Sequence, residues 1–331
     1  MKGKAGMGNR LLCVFTALRY AELTGRELVV DWSDRCYSED RADVFGRLFE
    51  TPSAGDMRPW LDSSSVHPPR WVGRIHRSVD EFFGELFPHN TELDTDRSVA
   101  RTTTVDLAAD VPEEVAVRWA WDDEIHRLRP WLKGDEARMS DDEILRKIVK
   151  ERFVFAPAVR EPIDTFTAAH FHGPMIGVHV RFTDRRNPFA HYHWMIDYIR
   201  SFEPEARIFL ATDNPRVEDE FRTRYGDRVC TTVKWFPDDG RPIHKCWVQP
   251  DKLSLAIEAL VDMVLLSRTN FLIVNKTSTF GKVAHLLADP AKTKTIDATP
   301  VTVRSLVKDV KRQAEHRLLA AKRSGAFGLL G

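Results

Sequence analysis

The sequence predicts an α/β protein built on a parallel, doubly wound sheet, and three observations lead there. From residue 175 to residue 297 short apolar runs alternate with helical stretches of roughly 10–17 residues, the length a crossover helix needs. Near the start, residues 9–24 place Leu11, Leu12, Phe15, Leu18 and Ala21 on one helical stripe, which runs through Gly25 into the strand-like Glu27–Asp31. With 331 residues, 43% of them hydrophobic and 30% charged, the chain can bury a large interior and is most economically divided into two domains.

The elements follow in order. A glycine-rich turn, Gly3, Gly6 and Gly8, precedes the first helix, with almost no room for a strand to feed it. The chain is therefore expected to be trimmed, or to begin at that strand's last residues. Residues 50–135 are irregular and rich in proline, with a helical run near Val79–Phe87 and a strand expected at Thr102–Leu107. Helical periodicity returns over 141–170, with Ser140 and Asp164 as capping residues, and ends at His172-Gly173-Pro174, a natural place for a domain to begin. Strands are then expected at 175–180, 207–212, 228–232, 270–274 and 294–297. The helices between them fall near 190–202, 215–224, 251–267 and 278–288, and Val301–Gly331 reads as a basic amphipathic helix with a loose tail.

Composition narrows the function. Forty-nine Lys and Arg balance 49 Asp and Glu, so no global field favours nucleic acid or a membrane surface, and any anion must be held by local groups. Cys13, Cys36, Cys230 and Cys246 form no C-x-x-C pair, against a zinc knuckle or disulfide framework, and a reducing cytoplasm is expected. The apolar stretch Leu253–Leu266 is broken by Glu258 and Asp262 and falls short of the ~20 residues of a membrane span. The first residues lack a signal peptide's apolar core.

In a doubly wound sheet ligands gather at the carboxyl ends of the strands, and four places there carry chemistry. Gly6-Met-Gly8-Asn9 sets backbone amides at a helix start, as a phosphate site or a plain turn; it is neither a Walker A loop nor G-x-G-x-x-G. His179-Val-Arg181-Phe-Thr-Asp184-Arg185-Arg186 closes an apolar strand with a cationic cluster, a diphosphate site built on an arginine fork or a solvated basic turn. His191-x-His193 has the wrong helical spacing and no third ligand for zinc. Thr212-Asp213-Asn214-Pro215 ends a buried strand, with Asp213 or Asn214 as ligand contact or helix cap. Finally, Asp262 lies on a helix apolar nearly all round and needs a partner: the adjacent N–H donors of a guanine, or an arginine such as Arg268. Thr277-Ser278-Thr279 supplies hydroxyls and amides as a second phosphate cradle or a cap.

Together these segments resemble the nucleotide-binding motifs of the α-1,6-fucosyltransferase family, most closely its bacterial nodulation members. The resemblance runs through Gly6-Met-Gly-Asn-Arg, Arg19–Trp32, His179-Val-Arg181, Phe209–Asp213, Ala259–Leu266 and Thr277–Phe280, and is loose over 50–170. It implies a GT-B architecture, two Rossmann-like domains facing a cleft: 1–172 on the acceptor side, 173–300 holding the GDP-sugar, and 301–331 as a helix packing back towards the N-terminal domain. It implies an inverting, metal-independent transfer of fucose from GDP-fucose to a hydroxyl of a sugar-containing acceptor, without cofactor. His179 and Arg181 would meet the diphosphate, Asp262 the guanine, and Ser278 and Thr279 the phosphate or ribose. Gly8 and Asn9 would close from the other domain, and Asp213 would order the site.

The chain departs from the animal members after His-Val-Arg. Phe182 replaces a second arginine, Arg185 a lysine, and Phe189 stands where their proposed glutamate base would fall. Asp184 and His191 become the candidate bases. Another GDP-sugar such as GDP-mannose, a catalytically silent GDP-sugar-binding protein and, more distantly, a Rossmann oxidoreductase are the rival readings.

Overall fold

The computed structural model describes residues 1–51, 57–86, 102–183, 188–237 and 251–299. In its second half five parallel strands stand in the order β5-β4-β3-β6-β7: β3 (Met175–Val180), β4 (Arg207–Thr212), β5 (Val229–Cys230), β6 (Phe271–Val274) and β7 (Lys294–Asp297). Helices α5 (Phe189–Arg200) and α6 (Pro215–Tyr225) cover one face, and α7 (Lys252–Ser267) and α8 (Thr279–Leu287) the other.

The pleat sorts the side chains. On β4, Ile208 and Leu210 join Tyr192, Ile196 and Phe221 on the first face, while Phe209 and Ala211 join Leu260, Val264 and Val283 on the second. All six residues of β3 are buried, as befits a central strand covered on both sides. His179 falls on the α7–α8 face, one residue before the strand ends.

The first half is more irregular. Helix α1 (Met7–Thr24) ends on Gly25 in the left-handed region (φ 67°), the conformation a helix-terminating glycine supplies. Its start is pinned by Arg10, which is fully buried against Asp34 and donates through its Nε to the Ala5 carbonyl. The short strands β1 (Val66–His67) and β2 (Val115–Ala116) pair in parallel, and α2 spans Val79–Leu86. Glu27–Asp31 is not a full strand. Its parallel partner is Met1–Gly3, joined through Asp31 N to Met1 O and Gly3 N to Asp31 O, and only Lys2–Asp31 forms a bridge.

The strand expected at Thr102–Leu107 is likewise absent. The Thr103 carbonyl accepts from the indoles of Trp71 (2.6 Å) and Trp119 (3.0 Å), and the Thr104 hydroxyl bonds the backbone of Trp119, so groups a ladder needs are spent on tryptophans. Helix α3 (Asp141–Arg152) opens with a capping box of Ser140 and Glu143. Helix α4 (Pro157–His170) starts at a proline, so Asp164 is mid-helix rather than a cap, and it pairs instead with Arg268 (2.9 Å).

The largest apolar cluster joins both halves: Phe15, Leu145 and Ile163 share it with Phe209, Leu266 and Val283. Val301–Gly331 and its expected helix lie outside the described residues.

Candidate functional site

The carboxyl ends of β3 and β4, the start of α8 and the start of α1 converge. Gly8 is the tightest point, since a Cβ there would stand 2.6 Å from Phe280 N and 2.6 Å from the Thr279 carbonyl carbon. Beside it Thr279 Oγ1 donates to Asn9 Oδ1 (3.2 Å), and Asn9 Nδ2 donates to the Trp121 carbonyl. Lys282, a turn further along α8, pairs with Asp123 and lies 3.4 Å from Asp122. Gly8, Asn9, Ser278 and Thr279, far apart in sequence, therefore meet where the two halves touch.

His179 lies flat on Phe280, with ring centroids 4.6 Å apart and planes at 15°. Burial, with the Arg181 and Lys234 charges adding to it, pushes the imidazole down to about 3, so the ring is neutral at physiological pH. Among the described residues its Nδ1 has no hydrogen-bond partner, and neither has the hydroxyl of Ser278, which is 2% exposed at the N-cap of α8. Buried polar atoms left unpaired are costly, so two at one helix start describe a site shaped for a polar ligand. The helix's first-turn amides and positive dipole end select an anion.

Asp213 holds the turn after β3. Its Oδ1 accepts from Phe182 N (2.7 Å) and Thr183 N (3.3 Å), and its Oδ2 from the Thr183 hydroxyl. The helix cap is the neighbouring Asn214, whose side chain accepts from Arg216 N (3.0 Å). Arg181 is half-buried at the start of that turn. Asp184 and Arg185, a candidate base and a candidate donor contact, lie outside the described residues together with Arg186. His191 sits half-buried in the first turn of α5, whereas His193 is enclosed by Phe221 and hydrogen-bonds Tyr225 Oη (3.0 Å).

Asp262 is buried on α7, but its partner is not Arg268, which α4 has taken through Asp164. Thr232 Oγ1 donates to its Oδ1 (2.7 Å) and Lys234 Nζ to its Oδ2 (2.6 Å). Both partners come from the segment leaving β5 and were missed in the sequence. No local pattern announces a lysine whose side chain is 5% exposed; the only signal was that a buried carboxylate must have a partner.

A cavity of about 310 Å³ adjoins this pair, lined by Phe166, Thr232, Val233, Ile257, Glu258 and Val261 among others. A larger opening, about 420 Å³, lies at the strands' amino ends beside Pro174, Phe271 and Lys294, away from all of these residues. Among the described residues no three His, Cys, Asp or Glu side chains gather into a metal-binding group, and no helix is long and apolar enough to cross a membrane.

A parallel sheet whose strand ends, helix start and facing glycine turn form one cleft is the GT-B arrangement of glycosyltransferases. Residues 137–315 match the family model for Nodulation protein Z (NodZ), and the chain belongs to that family. Nodulation protein Z of Azorhizobium caulinodans is 28% identical over 314 residues, covering 86% of this chain and 88% of that protein. The NodZ alpha-1,6-fucosyltransferase co-crystallized with GDP is 25% identical, with a TM-score of 0.56 over 87% of this chain and 91% of the other. The same enzyme soaked with GDP-fucose gives 23% identity and a TM-score of 0.56, with coverage of 87% and 91%.

Proposed function

We propose that the protein transfers fucose from GDP-fucose to a hydroxyl of a sugar-containing acceptor, by a single inverting displacement that uses no metal. The observation that carries this reading is the pair of unpartnered buried atoms, His179 Nδ1 and Ser278 Oγ, at the start of α8 and within reach of Arg181's field. A diphosphate supplies the oxygens such a pocket calls for: Ser278 can donate to it, as can His179 in the Nδ1–H tautomer. The Asp262 carboxylate suits the adjacent N1–H and N2–H donors of guanine and not the edge of adenine.

In the displacement, the acceptor oxygen bonds to fucose C1 on the face opposite the diphosphate. The C1–O bond to GDP breaks with its electron pair leaving on the phosphate, and the acceptor proton passes to a base, for which Asp184 and His191 remain the candidates. Arg181, the α8 N-terminus and neutral His179 stabilise the charge that builds on the leaving GDP, the task a metal performs elsewhere. Gly8 and Asn9 bring the acceptor-side half, 1–172, against the donor-side half, 173–300, and Asp213 fixes the turn that carries Arg181.

The unpaired thiols of Cys13 and Cys230 accord with a cytoplasmic enzyme. The test is calorimetric titration with GDP, UDP, ADP, GDP-fucose and GDP-mannose, with and without chelator, on wild type and Arg181→Ala, followed by turnover over an oligosaccharide panel. GDP-selective, chelator-insensitive binding that collapses in the variant is expected. Preference for UDP or ADP overturns the donor assignment, and GDP-fucose binding without turnover over any acceptor overturns the enzymatic one.

A further inference from the structure

Lys234 is a second cation at the proposed donor site, held against the carboxylate assigned to the base. Its ammonium sits 2.6 Å from Asp262 Oδ2 and is almost wholly buried. With Thr232 on Oδ1, it engages both oxygens of the carboxylate that the proposed function reserves for guanine. A base that pairs with the carboxylate competes with Lys234 for the lone pairs of Oδ2.

The surroundings make release feasible. Glu218 of α6 and Glu258 of α7 also feel Lys234, and burial holds both carboxyls above their ordinary range, with Asp262 adding repulsion and Lys234 opposing it. On the other side the ammonium's charge bears on His179, at the place assigned to the diphosphate. Lys234 thus pairs with the base end of the site while its charge reaches the phosphate end. A lysine is a compact charge on a flexible stem, able to change partners.

We propose that Lys234 is an exchanging counter-ion: it pairs with Asp262 until the donor binds, and when the base of the donor displaces it, it moves to the diphosphate. This rests on the guanine and diphosphate assignment above and adds a residue and a consequence. Guanosine must evict the lysine without offering it a new anion, whereas GDP supplies one, so the exchange favours the diphosphate over the nucleoside.

The experiment titrates guanosine and GDP into wild type, Lys234→Met and Lys234→Arg, with thermal denaturation of each. In Lys234→Met, GDP affinity is expected to fall at least tenfold while guanosine affinity stays the same or tightens; Lys234→Arg retains GDP affinity within about threefold. Equal loss for both ligands would make the lysine merely a prop of the base pocket, and unchanged GDP affinity would remove it from the phosphate site; either overturns the proposal.

Removing the lysine alone leaves a lone buried carboxylate. Should Lys234→Met not fold, Asp262→Asn is compared with Asp262→Asn/Lys234→Met for binding of inorganic pyrophosphate. The double variant is expected to bind at least tenfold more weakly, and equal binding refutes the exchange. A wild type that prefers UDP or ADP to GDP sinks the guanine assignment itself, which separates that failure from the failure of Lys234.

Discussion

Substituting Gly8 by alanine tests the meeting of the two halves directly. The added Cβ would lie 2.6 Å from Phe280 N, 2.6 Å from the Thr279 carbonyl carbon and 2.8 Å from its oxygen, where ordinary contact begins at 3.4 Å. All three atoms are backbone, so no side chain can swing aside, and α1 and α8 must part by about 0.8 Å, the difference between 3.4 and 2.6 Å. Overpacking of this kind costs about 1–3 kcal/mol. Because α8 carries Ser278 and Thr279, the same displacement moves the anion site, and shifts near 1 Å can lower turnover by about a hundredfold. Urea denaturation and kcat/KM for GDP-fucose are the assays, with Gly84→Ala as control. Gly84 is exposed on α2 with nothing within 4 Å of its Cβ position, and its substitution is expected to be neutral or to stabilise by up to about 1 kcal/mol. A Gly8→Ala protein within about 0.5 kcal/mol of wild type and with unaltered kcat/KM would refute the close approach of α1 and α8.

Ser278→Ala removes a buried hydroxyl that has no partner among the described residues, so it is expected to leave stability unchanged or slightly raised while weakening GDP-fucose binding several-fold, read by denaturation and calorimetry. Asp213→Ala deprives Phe182 N and Thr183 N of their acceptor; stability should fall by about 1–3 kcal/mol and turnover by a larger free energy, whereas loss confined to stability would deny Asp213 any part in placing Arg181. His179 protonates near 6.5 in the unfolded chain but at about 3 when folded, so the unfolded state takes up its proton first. Its stabilising contribution is complete above pH 6.5 and declines as pH drops towards 3, by up to about 1.4 kcal/mol per unit. In His179→Gln that part of the acid limb should flatten, and an unchanged limb from pH 6.5 to 4 contradicts the buried neutral ring.

The second half was legible because its folding rules are local. Apolar runs at strand length, helices at crossover length and Asn214-Pro215 or Ser278-Thr279 at helix starts each state their own role, and the strands at 175–180, 207–212 and 294–297 stand where the periodicity puts them. The first half was not, because its backbone is held by side chains distant in sequence. The alternation at Thr102–Leu107 is genuine, yet Trp71 and Trp119 claim the Thr103 carbonyl, and no window containing residue 103 reveals that.

The same division runs through the site. Strand ends and helix starts place His179, Asp213 and Ser278 by local rules, and Asp262 advertised itself as a charge on an apolar helix. Desolvation required a partner for that charge without saying which, and proximity in sequence pointed to Arg268. Arg268, however, already meets Asp164 on α4, and the vacancy falls to the segment that leaves β5 on the same face of the sheet as His179. That sheet crossing has a chemical consequence. A partner supplied by α7 itself would be fixed to the helix, whereas one supplied by the chain after β5 sits on a separate element, so the proposed exchange requires no movement of α7.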